Sequence, residues 1–113
     1  MITVRIESGI CGLATVVRAF QTQRRSVGIA IKSECKQVMA LEDQLRKIEM
    51  HDVIKNPINK NPIYEKAGKC NLHSSCPVPC GIIKAAEAEL GLAVIKDVRI
   101  IFESETQEID GAA

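Results

Sequence analysis

The chain has 113 residues, 46% of them hydrophobic and 26% charged, with a net charge of +1. That length suits a single domain with its own core. The balanced charge and the scarcity of aromatics (two Phe, one Tyr, no Trp) exclude a broad basic face or a stacking surface, so nucleic acid is not an expected partner.

Residues 1–7 alternate instead of joining a basic start to an apolar core, so no signal peptide is expected. No apolar run approaches the roughly 20 residues that cross a bilayer. Neither membrane insertion nor export is therefore expected, and the cytoplasm is the expected location. In that reducing compartment the five cysteines point to metal, redox or sulfur chemistry rather than structural disulfides.

In chain order, Ile2, Val4 and Ile6 alternate with Thr3, Arg5 and Glu7, which predicts a strand with one buried face. Ser8-Gly9-Ile10-Cys11-Gly12 reads as a turn with Cys11 at its apex, since glycine admits backbone angles closed to other residues. Residues 13–20 predict a second strand, rich in β-branched Thr15, Val16 and Val17. The polar residues 21–25 make a hairpin connection, and Val27, Ile29 and Ile31 supply a third strand. Ser33 is the expected N-cap of a helix from about Glu34 to Met50, with Cys35 in its first turn. Val38, Leu41, Leu45 and Ile48 form its apolar stripe, opposite a charged face that includes Asp43, Arg46 and Lys47.

Residues 51–69 are irregular, broken by Asn56-Pro57 and Asn61-Pro62. The second of these breaks predicts a short helix through Ala67, ended by Gly68. Pro77 and Pro79 mark the start of a second long helix, because proline is tolerated only in a first turn. Val78, Ile82, Ile83, Ala86 and Leu90 recur at helical spacing behind them, and Gly91 ends the run. Alternation at Val98, Ile100 and Phe102 predicts a fourth strand. Residues 104–113 read as a flexible tail after one domain spanning 1–103. The expected class is α+β: about four mainly antiparallel strands with two long helices packed on one face, in the order β-β-β-α-(α)-α-β.

The candidate site is built around His73-Ser74-Ser75-Cys76-Pro77-Val78-Pro79-Cys80-Gly81. A helix N-terminus carries partial positive charge and unpaired N–H groups, which favour a thiolate. Antiparallel pairing returns the chain to the same sheet edge after two further strands, so Cys11 and Cys35 share an edge. Cys76 and Cys80 join them if residues 51–75 climb back before the second long helix begins. Four thiolates are a ligand set for zinc or an iron–sulfur cluster, with His73 as a second-shell candidate. The competing reading is a sulfur-transfer or thiol-redox protein in which Cys76 is the nucleophile or persulfide carrier and Cys80 the resolving thiol. The plainest reading is an interaction module whose cysteines only pack. Cys70 reads as a surface or packing thiol under all three. Glu87 and Glu89 do not share a helical face, and there is no phosphate-binding glycine loop. A protein partner for electron or sulfur transfer and self-association are both open.

Two resemblances bear on the site. Cys76-Pro77-Val78-Pro79 opening a helix resembles the Cys-Pro-x-Pro motif of the TusA/SirA-like sulfur carriers, which implies a persulfide on Cys76. The longer pattern of Ser8-Gly9-Ile10-Cys11-Gly12, a cysteine at the first long helix start, and His73-x-x-Cys76-Pro-Val-Pro-Cys80 resembles a small uncharacterised family of anaerobic prokaryotes. That resemblance implies Cys11, Cys35, Cys76 and Cys80 as the cysteine set.

Overall fold

The computed structural model describes residues 1–104. The first three predicted strands form in place: β1 (Ile2–Glu7) pairs antiparallel with β2 (Ala14–Gln23), and β2 with β3 (Ser26–Ser33). The register aligns Val4 with Val17 and Val17 with Ile31, and likewise Ile2 with Ala19 and Ala19 with Ile29. The alternating apolar sets of all three strands therefore fall on one face. Their partners there are the helices, which bury Val17, Ala19, Ile29 and Ile31 together with Leu41, Ile63, Val78 and Ile82. Thr3, Arg5, Arg18 and Lys32 alternate with that set and are exposed on the other face.

Helix α1 (Lys36–Gln44) follows β3. It is shorter than the expected Glu34 to Met50. Leu45 donates its N–H back to Glu42, and Ile48–Glu49 becomes the short strand β4, paired with Val27 and Ser26. Ile48 keeps the burial that the helical stripe foretold but reaches it as a strand residue. The physical reason is the open edge of β3, whose backbone groups need partners. Met50 adds a backbone bond to Arg25, and Glu49 accepts a hydrogen bond from the Ser26 hydroxyl at 2.9 Å. Further along the same edge, the Ile31 N–H donates to the Glu42 carboxylate.

A one-turn helix α2 (Met50–Val53), absent from the sequence expectation, leads to α3 (Pro62–Lys69). Asn61 starts α3 as expected and is itself buried. Its side-chain oxygen accepts from the Ile63 N–H, and its amide donates to the carbonyls of Asp52, Val53 and Lys55. One asparagine thus ties the irregular connection to the helix that follows it.

Helix α4 (Val78–Glu89) crosses β1 and β2. Gly81 permits the approach, since a Cβ there would overlap the Ile6 side chain. At the far end Glu89 accepts from the Gln21 N–H at 2.8 Å and pairs with the Met1 ammonium at 3.3 Å.

The expected strand at 98–103 does not form. Residues 92–104 have no regular secondary structure, and Val98, Ile100 and Phe102 are 61%, 87% and 100% exposed. The four-stranded antiparallel sheet is completed by Ile48–Glu49 instead. Alternation describes the faces of a strand and names no neighbour, which is why the count of four held while the position moved. Residues 105–113, most of the expected tail, lie outside the described residues.

Candidate thiol site at one sheet edge

Both long helices begin at the same edge of the sheet. β1 ends there at Glu7, β3 ends there at Ser33, and α1 descends from it. α3 climbs back: Asn61 at its start holds the connection after α2, while Asn71 just past its end accepts from the Gln37 side chain in the first turn of α1 at 3.0 Å. α4 then descends from Gly81 beside Ile6 to Glu89 beside Met1 and Gln21. The connection does what the sequence reading required of it.

Cys11 lies in the 3-10 turn Gly9–Cys11 and is exposed. Gly9 and Gly12 flank it at φ of 78° and 70°, angles that favour glycine, so the two glycines of the motif shape the turn. Cys35 is the N-cap of α1, and half-buried. The expected cap Ser33 acts two residues ahead of the actual N-cap. Its hydroxyl accepts from the Cys35 N–H at 3.1 Å and from the Thr15 hydroxyl at 2.9 Å, which fixes the exit from β3. The Cys35 thiol points to the Gln37 side-chain oxygen at 3.8 Å, so Gln37 touches both Cys35 and the loop that follows α3.

Cys76 is half-buried in the turn before α4, its N–H donated to the His73 carbonyl at 3.0 Å. Burial pushes its thiol pKa up, and a hydrogen bond from the Val78 N–H opposes that. Negative charge on Cys35 and on Cys11 raises it further. Cys35 and Cys11 thus lie near enough for their charge to act on the Cys76 thiol.

Cys80 is placed differently. It stands in the first turn of α4 beside the Tyr64 hydroxyl of α3, whose pKa rises through burial and through the neighbouring Cys80 sulfur. Because α4 begins at Val78, Cys76 lies just before the helix and Cys80 within its first turn, where Pro77 and Pro79 predict the start. His73 is exposed and contributes a backbone carbonyl to the Cys76 turn.

Three residues carry more of this edge than the sequence reading gave them. Cys70 caps the end of α3 and packs half-buried against the core at the same edge. The climb of 51–75 that brings Cys76 there brings Cys70 too, which was the available signal. Gln37 and Tyr64 left no trace in sequence, since their roles depend on which helices touch.

All five cysteines are free, and among the described residues no three His, Cys, Asp or Glu side chains are gathered at metal-holding distance. The thiols are instead spread along the edge, with Cys11 on a glycine-flanked turn and Cys76 in the turn before α4. Two surface concavities, one lined by Arg25, Glu49 and Met50 and the other by Val53, Tyr64 and Ile83, include none of these cysteines. No helix among the described residues is long and apolar enough to cross a membrane.

Fold and edge together define an α+β protein with a cysteine-bearing rim. The chain belongs to the family of unknown function DUF6951, whose model matches residues 2–102. No curated protein and no solved structure matches it.

Proposed function

We propose that this is a thiolate metal-binding protein that holds zinc or an iron–sulfur cluster at the sheet edge. Cys11, Cys35 and Cys76 are the central ligands, and Cys80 becomes the fourth on turning away from Tyr64. The observation that supports this reading is the common edge at which the Cys11 turn, the start of α1 and the start of α4 all lie. Thiolates are soft ligands suited to both metals, and one from a glycine turn, one from a helix start and one from the turn before a helix give the mixed donor geometry of a cluster as readily as that of zinc. Bringing three such groups together is opposed by their mutual repulsion, which a cation relieves. Reduced thiols fit a cytoplasmic setting, and a partner for electron transfer follows if the metal is iron.

Anaerobically purified protein should contain stoichiometric zinc or iron by elemental analysis, with visible absorption in the iron case. Cys76→Ser should lose that metal. Metal-free protein after anaerobic preparation and reconstitution would overturn the reading.

A second reading, sulfur transfer through Cys76, draws on its place in the turn before α4, where the Val78 N–H offsets part of the rise that burial gives its thiol pKa. It predicts cyanide-labile sulfur on Cys76 that survives Cys11→Ser, which the metal reading does not.

A further inference from the structure

Beyond α4 the chain becomes an exposed arm. Leu90 still packs against the core, but residues 91–104 are exposed throughout, Val94, Ile95, Val98, Ile100, Ile101 and Phe102 among them. The exit is well defined. Gly91 takes a φ of 74° and donates to Ala88 at 3.2 Å, and Leu92 donates to Glu87 at 2.9 Å, the paired bonds that close a helix on a left-handed residue. The end of α4 is also pinned by Glu89 to Met1 and Gln21. The described residues extend over 50 × 29 × 25 Å. That long axis exceeds the roughly 33 Å of a ten-residue strand such as β2 and is consistent with an arm standing off the body.

The two sheet edges are treated differently. The outer edge of β3 is occupied, its first residues by β4 and its Ile31 N–H by Glu42. The outer edge of β1 has no strand beside it among the described residues. Ile2 and Val4 of β1 point to the core face yet are only half-buried, as expected where the neighbouring strand is missing. The family match runs to residue 102, so the arm is part of the family's domain rather than an appendage to it.

We propose that residues 92–103 of one copy add as a strand to the outer edge of β1 in a second copy, and reciprocally, to form a two-fold arm-exchanged dimer. The pieces match. Residues 98–103 equal the six residues of β1 in length, and the Val98, Ile100 and Phe102 face continues that of Ile2, Val4 and Ile6. Main-chain pairing at an open edge supplies affinity, and alternate side chains supply register. A stable interface uses about 20 to 30 residues a side. The arm and β1 together approach the lower figure, and the self-complementary arrangement is the usual one for a two-fold pair. The arm's own β1 is not its partner here, since every residue of the arm is exposed to solvent outside its own body.

This inference concerns residues away from the cysteines and does not rest on the metal reading. Sedimentation equilibrium of the full chain should give twice the 12.4 kDa protomer mass. Hydrogen exchange should show protected amides at 98–102 and in β1. Ile100→Asp and Phe102→Asp sit on exposed positions, so the protomer should keep its circular dichroism. Dimerisation should weaken on the order of a hundred-fold or more, from the apolar burial lost in both copies, and protection at 98–102 should go with it. A wild-type monomer at all concentrations would overturn the proposal, whether its arm amides are protected, meaning the arm folds on its own β1, or exchange freely. A dimer that keeps its affinity in both variants would overturn it as well.

Discussion

Residues 2–7 and 98–103 carry the same pattern, three large apolar side chains alternating with three others, yet only the first is a strand within its own chain. β1 has β2 across a two-glycine turn and α4 lying over it, close enough that Gly81 has no room for a Cβ against Ile6. Residues 98–103 follow a helix that ends at the other side of the sheet, and they pair with no strand among the described residues. The comparison separates two properties that alternation merges: a face suited to burial, and a neighbour that buries it. Strand propensity measures fit to a pleated, half-buried surface and is silent until that surface exists.

The comparison can be broken most sharply at Ile6. Ile6→Ala removes buried methyl and methylene groups under α4 and should destabilise the fold by about 2–4 kcal/mol in urea denaturation. A loss near zero would place β1 in the same class as the arm. Gly81→Ala comes next. The added methyl meets Ile6 and should cost about 1–3 kcal/mol, as overpacking does. Combining it with Ile6→Val should recover part of that loss, because shortening Ile6 clears one of the two atoms in the way. Simple addition of the two losses would show that α4 and β1 do not press on each other there. The smallest effect belongs to the arm. Ile101→Ser, measured on dilute protomer, should change stability by no more than about 0.5 kcal/mol, as exposed positions do.

The candidate site was legible to a similar depth. Counting strands put Cys11 and Cys35 at one edge, and the structure agrees because a hairpin reverses the chain whatever its side chains are. The direction of α4 was a condition in the sequence, settled by α3 climbing from Asn61 to Asn71. Proline fixes the start of α4 at Val78, which leaves Cys76 just before the helix and Cys80 in its first turn. Cys80 faces Tyr64 of α3, while Cys76 lies where charge on Cys35 and Cys11 acts on it. Nothing in the spacing of a single segment reports which neighbouring segment a side chain will meet.

What the sequence determined by itself is the local grammar: three alternating strands, the glycine turn at Cys11, the Asn61 start of α3, the proline start of α4 and its Gly91 end. Each depends on backbone angles or on periodicity, which neighbouring residues settle among themselves. The tertiary structure decided where α1 gives way to β4, which cysteines share surroundings, and that 98–103 joins no sheet among the described residues. Those outcomes depend on backbone edges and faces brought together from distant parts of the chain, and their energies exist only once the sheet and helices are in contact.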